Sequence, residues 1–251
     1  MNCLVVDIGN TSTSVGLALG RRIVHVARVE RHPASAPKIR SILEKALAGK
    51  RVRGSVVASV VPEATPRWTR SLEAVTGKQP LVVTHGLELG IEVDYPAPVT
   101  IGADRLANAG GAVARHGSPV IVADFGTALT FDVVVEKGVY VGGVIAPGLP
   151  LMTDYLAEKT ALLPRIRLAG RCHRVGRSTA GAMRIGAHIG YRGMVREIVN
   201  YLTEQWRTPF ALCATGGFAR WALDGLDIPF CYDPNLTLFG LSRIFALNVK
   251  T

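Results

Sequence analysis

The chain has 251 residues, 48% of them hydrophobic and 19% charged, a balance too apolar for a disordered chain and ordinary for a globular one of one or two domains. Its formal net charge of +10 raises the question of nucleic acid, but the basic residues are spread, recurring from Arg21 to Arg53 and from Arg165 to Arg196 without a long block of like charges. A solvated basic surface that attracts anionic ligands accounts for this, and neither nucleic acid nor a membrane is expected as a partner.

Residues 2–9, 13–19 and 22–29 read as strands, rich in Val, Ile and Leu and bounded by Gly, Asn or Arg. A helix near 36–48 follows, then a strand at GSVVASVV, a helix from PEATPRW with Pro62 at its favoured first position, and a strand at QPLVVTH. The next helix begins at ADRLANAGGAVARHG and stops at Gly117. From Ser118 the order restarts, with strands at 119–124, 128–135 and 139–145 and helices across 148–158 and 179–206. Strand PFALCA, helix GFARWAL, strand IPFCY and a helix within 235–248 complete it. The second half thus repeats a β-β-β-α-β-α-β-α order. The class expected is α/β, with two similar domains, 1–117 and 118–251, facing each other across a cleft.

The first ten residues, MNCLVVDIGN, lack the basic start of a signal peptide and reach Asp7 early. The longest uncharged stretch, GVYVGGVIAPGLPLMT, is broken by Pro147 and Pro150 and is too short for a membrane span, so a cytoplasmic protein is expected. Cys3, Cys172, Cys213 and Cys231 form no C-x-x-C pair; three stand in apolar, strand-like contexts and are expected to be buried thiols. Cys172 and His173 are adjacent in an Arg-rich loop, and one such pair cannot complete a zinc tetrahedron.

Each half opens with a strand ending in Asp and a small polar loop, DIGNTS and DFGTALT. Gly9 lets the backbone turn tightly while Asn10, Thr11, Ser12 and Thr13 supply amide and hydroxyl donors. Gly126 and Thr127 repeat the kit, so the two loops are read as jaws on one polyphosphate, with Asp7 and Asp124 as possible cation ligands. Either loop alone is also an ordinary strand-end turn. In CATGGFA, Gly216 and Gly217 would let a flat group such as adenine approach the backbone, and Gly142 and Gly143 in GGVIAPG mark a second such loop or a bulge. Asp104 in IGADRLAN is the candidate base for a substrate hydroxyl, with Arg105 beside it for an anionic group; an N-cap is the alternative. A nuclease built on Asp7, Asp104 and Asp124 remains open at this level, as does a regulatory protein that binds nucleic acid.

In order along nearly the whole chain, DIGNTS, VDYPAP, GADRLAN, DFGTALTFDVV, GGVIAPG, KTALLP, GRSTAGAM, ATGG and PNLTLFGL resemble the type III pantothenate kinase family. The resemblance implies the duplicated, ribonuclease-H-like fold of actin-like ATPases. It also implies transfer of the γ-phosphoryl group of ATP to pantothenate, giving 4′-phosphopantothenate at the start of coenzyme A synthesis; another small alcohol is the alternative acceptor. By the same resemblance Asp7, Ile8, Gly9, Asn10, Thr11, Ser12, Thr13 and Ser14, together with Thr127, bind ATP, with Asp7 near Mg²⁺. Asp104 is then the proton acceptor. Tyr95, Gly102, Ala103, Asp104, Arg105 and Thr179 line the pantothenate site, and Asp124 holds an activating monovalent cation, K⁺ or NH₄⁺. The family is dimeric, and Gly181, Gly186, Gly190 and Gly193 would permit close helix contact across a subunit interface, or a helix lying flat on its own sheet. Ser178 stands where the family commonly has Asn or Asp, and Arg184 where a small or polar residue is frequent.

Overall fold

Four consecutive apolar residues, Cys3 to Val6, are buried in the opening strand β1 (Asn2–Ile8), the pattern of a strand covered on both faces. It pairs antiparallel with β2 (Ser12–Leu19) and parallel with β4 (Ser55–Ser59). β3 (Arg22–Glu30) and β5 (Leu81–Val82) complete a five-stranded sheet in the order β3-β2-β1-β4-β5. Leu4, Val6 and Ile8 of β1, Val15 and Leu17 of β2 and Val57 of β4 pack against Ile39, Leu43 and Ala46 of α1 (Ala36–Leu47) and Trp68 and Leu72 of α2 (Thr65–Thr76). Each such leucine contributes roughly 1.5–3 kcal/mol of burial. Helix α2 starts later than Pro62 suggests: the hydroxyl of Thr65 donates to the Val61 carbonyl at 2.9 Å and lies 2.7 Å from Ser59 Oγ, and Pro66 occupies the first turn.

The computed structural model describes residues 1–30, 35–168, 174–206 and 208–249; Cys172 and His173, read above as no zinc site, lie outside them. After β5 come β6 (Glu92–Val93), α3 (Ala103–His116), β7 (Val120–Phe125), β8 (Ala128–Val135) and β9 (Val139–Pro147). There follow α4 (Leu149–Lys159), α5 (Thr179–Glu204), β10 (Ala211–Thr215), α6 (Ala219–Leu223), β11 (Cys231–Tyr232) and α7 (Leu236–Asn248). The second sheet has the order β11-β10-β7-β8-β9-β6. Read from β9, its strands fall in the sequence third, second, first, fourth, fifth of the second half, as in the first sheet. The duplication inferred from element order is therefore one of topology, and the fold is the duplicated ribonuclease-H-like one of actin-like ATPases.

Strand β6 escapes the sequence reading. Two residues long, it runs parallel to β9 with Glu92 opposite Val139 and Val93 opposite Tyr140. By packing, the chain divides into two units, Met1–Val120 with Asp132–Gly142 and Asn235–Thr251, and Ile121–Phe131 with Gly143–Pro234. The division at Gly117 stays a proposal about the repeat; packing divides the chain differently, because the last helix, α7, lies on β1, β2 and β4.

Within the first unit α3 and α7 cross through small residues. A Cβ on Gly240 would collide with the Ala107 carbonyl, and one on Gly111 would stand 3.1 Å from the Gly240 Cα. The hydroxyl of Thr237 donates to the buried Asn108 Oδ1 at 2.7 Å across the same contact.

Candidate active site

The loops that leave β1 and β4 start side by side, since the Val60 N–H donates to the Ile8 carbonyl at 3.1 Å. A Cβ on Gly102 would stand 3.5 Å from Val60 Cγ1, which brings the start of α3 to the same carboxyl end of the first sheet. Ligands of open α/β sheets bind at that end. Asp7 and Asp104 are therefore at one edge of the first unit, a proximity that the sequence leaves undetermined.

Strand alternation sorts the first loop. Asp7 pairs with Ser14 on one face, and Ile8 with Thr13 on the other, the face covered by α1 and α2. Ile8 and Thr13 are fully buried, and Thr13 Oγ1 has no hydrogen-bond partner among the described residues. The Thr13 hydroxyl thus lies inside the core and only the backbone of these two residues belongs to the loop. Asn10 and Thr11 are exposed at the tip, which closes through the Gly9 N–H on the Ser12 carbonyl at 3.0 Å. Ser12 Oγ accepts from Arg28 Nε at 3.0 Å.

Helix α3 is capped by Gly102, not by Asp104, which sits in the first turn. A Cβ on Gly102 would collide with Asp104 Oδ1, so the glycine leaves room for the carboxylate to fold back. That oxygen accepts the Arg105 N–H at 2.9 Å, one of the donors a helix start leaves unpaired. Burial pushes the Asp104 carboxyl above its ordinary range, against the opposing pull of the Arg105 N–H and guanidinium. A carboxylate made more basic, and held beside a cation, is suited to accept a proton from an alcohol.

Two residues that sequence reasoning missed complete this cluster. Asp132 of β8 is fully buried, and its Oδ1 accepts from Arg105 Nε at 2.8 Å, Arg105 Nη2 at 2.7 Å and the Tyr140 hydroxyl at 2.9 Å. Burial pushes the Asp132 carboxyl up to about 7, while Arg105 and Tyr140 pull it down. With two guanidinium N–H groups on one oxygen, we read the pair as charged; the same carboxylate raises Arg105 above its ordinary value. Burial, with Asp132 next to it, keeps Tyr140 protonated and hence a donor. The signal was in the sequence: a carboxylate amid LTFDVVV, an apolar strand, must find a partner.

Tyr95 reaches the cluster through β6. The Asp94 N–H donates to the Tyr140 carbonyl at 2.9 Å, and the Tyr95 and Tyr140 rings lie 6.4 Å apart, tilted by 58°. Gly142, at φ +115°, faces the Tyr95 ring, where a Cβ would come within 3.2 Å. Tyr95, Gly102, Asp104 and Arg105 thus gather with Asp132 and Tyr140 in one unit, and Ala103 is buried at the helix start.

The second unit holds Asp124, Thr127 and Thr179. A Cβ on Gly216, at φ +96°, would stand 2.5 Å from Asp124 Oδ1 and 2.6 Å from the Phe125 backbone; one on Gly126 would stand 3.5 Å from the same oxygen. Glycine at both places makes a cradle around the carboxylate, and a carboxylate among backbone groups is a donor set that fits a cation with oxygen ligands. Gly216 thus packs closely on β7 at the position a Cβ would take, while Gly217 beside it is exposed. Thr127 is exposed, with Gly148 pressed against its carbonyl. Thr179 opens α5, which Ser178 caps by accepting the Gly181 N–H at 3.1 Å; serine does here the capping that Asn or Asp would do. Arg184 Nε donates to the Arg167 carbonyl at 3.1 Å, so its charge is tied to the preceding loop.

Cys3 and Cys213 are buried as expected, but Cys231 is exposed, because its strand β11 is the edge of the second sheet. Among the described residues no group of three or more His, Cys, Asp or Glu side chains is placed to hold a metal ion. No helix among them is long and apolar enough to cross a membrane.

A family model for type III pantothenate kinase matches residues 3–201. A type III pantothenate kinase of Akkermansia muciniphila is 41% identical over 250 residues, covering 99% of this chain and 100% of that one. One of Brevibacillus brevis is 36% identical over 251 residues, covering 98% of each. Among solved structures, a Campylobacter jejuni protein assigned to the Baf family of transcriptional activators superposes with a TM-score of 0.63 at 16% identity, covering 97% of each chain. The Clostridium difficile activator of 2-hydroxyisocaproyl-CoA dehydratase, solved with ADPNP, gives 0.58 at 11% identity, covering 98% of this chain and 94% of that one. At such identities these two speak for the fold alone.

Proposed function

Since the chain belongs to the type III pantothenate kinase family, we propose that it transfers the γ-phosphoryl group of ATP to the primary hydroxyl of pantothenate, giving 4′-phosphopantothenate at the first step of coenzyme A synthesis. The observation that carries the assignment is Asp104: a partly buried carboxylate, beside Arg105, at the same sheet end as Asp7. In this reading Asp104 takes the proton from the pantothenate hydroxyl as that oxygen attacks phosphorus in line, Arg105 meets the anionic end of the acceptor, and Tyr95, Gly102, Ala103 and Thr179 line it.

The polar loop Asp7–Ser14 and Thr127 are assigned to ATP, with backbone N–H groups as the phosphate donors where side chains are buried. ATP is used with a divalent ion, Mg²⁺, near Asp7, which when bound neutralises charge on the phosphates. Asp124 in its glycine cradle is assigned a monovalent cation, K⁺ or NH₄⁺. A homodimer through α5 is part of the reading: Ile189 and Tyr201 are 69% and 61% exposed, and the space beside Gly186, Gly190 and Gly193 is open. The enzyme is placed in the cytoplasm, with reduced cysteines.

The test is ADP formation from ATP with Mg²⁺ and K⁺, with and without pantothenate. Pantothenate-dependent ADP, with a product heavier than pantothenate by one phosphoryl group, is expected; ADP formation indifferent to pantothenate rejects the assignment. Replacing K⁺ by Na⁺ is expected to lower turnover, and indifference to the ion removes the role given to Asp124.

A further inference from the structure

Asp132 is held in a manner that fold stability does not explain. A buried ion pair costs desolvation of both charges, and a pair of apolar side chains of similar size is often as stable or more so. Stability would at least be served by satisfying both carboxylate oxygens. Instead Oδ1 collects three donors, while Oδ2 is buried with no hydrogen-bond partner among the described residues. Two of those donors, Nε and Nη2, belong to one guanidinium, so both its position and the plane in which it lies are fixed. The third, from Tyr140 on the neighbouring strand, fixes Asp132 in turn. Arg105 keeps 13% of its side chain open, so it is anchored from beneath and not sealed off.

We propose that Asp132 is a positioning residue for acceptor recognition: it aims the guanidinium of Arg105, next to Asp104, at the anionic group of the substrate, and Tyr140 steadies Asp132. The inference rests on the assignment of Arg105 to the acceptor end of the site. Its physical content is pre-organisation. Arginine is long and loses much rotamer freedom on binding a carboxylate; an arginine already held by a buried partner has lost that freedom before the substrate arrives. The field matters too, since the Asp132 charge offsets that of Arg105 and leaves less positive potential on the neighbouring Asp104.

The test is steady-state kinetics on Asp132→Asn and Tyr140→Phe beside the wild-type enzyme, with pantothenate and ATP varied separately. Asp132→Asn is expected to raise the pantothenate KM by about tenfold or more, equivalent to ~1.4 kcal/mol. The ATP KM should stay within about twofold, because no nucleotide contact is altered. Tyr140→Phe keeps the ion pair and loses one donor, and should raise the pantothenate KM by a smaller factor. A folded Asp132→Asn with both KM values unchanged overturns the proposal, as does one in which both rise together. If Asp132→Asn does not fold, Tyr140→Phe decides: an unchanged pantothenate KM overturns the proposal. Wild-type protein without pantothenate-dependent turnover rejects the functional assignment and this inference with it. Normal wild-type turnover with an unaffected variant rejects the inference alone.

Discussion

Replacing Asp104 by Asn separates its two jobs. Asn keeps the size of the side chain and an oxygen to accept the Arg105 N–H, which now donates to Oδ1 at 2.9 Å, so the start of α3 should survive. What is lost is the group that accepts a proton. General-base catalysis of this kind is worth about 10²–10⁴ in rate, or roughly 2.7–5.5 kcal/mol of barrier, and kcat should fall by that factor while the ATP KM holds. Stability should move the other way. Burial raises the folded-state pKa of Asp104, so its contribution to stability is fully present below the unfolded pKa, about 3.9, and is lost as pH rises through the folded value. Asn carries no such penalty, so the variant should melt at or above the wild-type temperature at neutral pH. In the wild type, kcat should fall with acidification through a pKa above the ordinary aspartate range. Coupled-assay kinetics and thermal melts across pH measure all three. A variant that keeps kcat within a few-fold of wild type in a folded protein refutes Asp104 as the base; one that melts well below wild type shows a structural role instead.

Gly240→Ala should destabilise strongly, because its Cβ would meet the Ala107 carbonyl, a backbone atom that cannot step aside. A cost of ~3 kcal/mol, lowering Tm by roughly 6–12 °C for a chain of this size, is expected by calorimetry. Gly216→Ala places a Cβ 2.5 Å from Asp124 Oδ1 at φ +96°; it should cost more than ~1 kcal/mol and raise the KCl concentration for half-maximal activity, read from a salt titration. In the native protein iodoacetamide should label Cys231 and spare Cys3, whose thiol is pushed up to about 12 by burial; peptide mapping before and after denaturation checks this.

Much of the fold was legible because its signals are local. The apolar runs in β1 and β2 and the Gly117 stop each lie within a few residues, and the repeat of that order announced the duplication. Strand β6 was not legible: two residues carry no periodicity, and its place is set by its partner β9. Pro62 misled because it opens a turn, closed by the Ala64 N–H on the Val61 carbonyl, and the proline in the first turn of α2 is Pro66. Cys231 misled because a strand-like context does not say whether the strand is central or at an edge.

For the site the division is sharper. The sequence alone determined which groups were chemically available: Asp7, Asp104 and Asp124, the glycine-rich turns beside them, and a carboxylate inside an apolar strand. Tertiary structure decided what each of them meets. It set Thr13 into the core while Asn10 and Thr11 stayed outside, since only pairing with Ile8 fixes which face a residue takes. It also joined Arg105 to Asp132 across 27 positions. A buried charge demands a partner, and that demand is written in the residue; which partner answers depends on how distant strands and helices close around it.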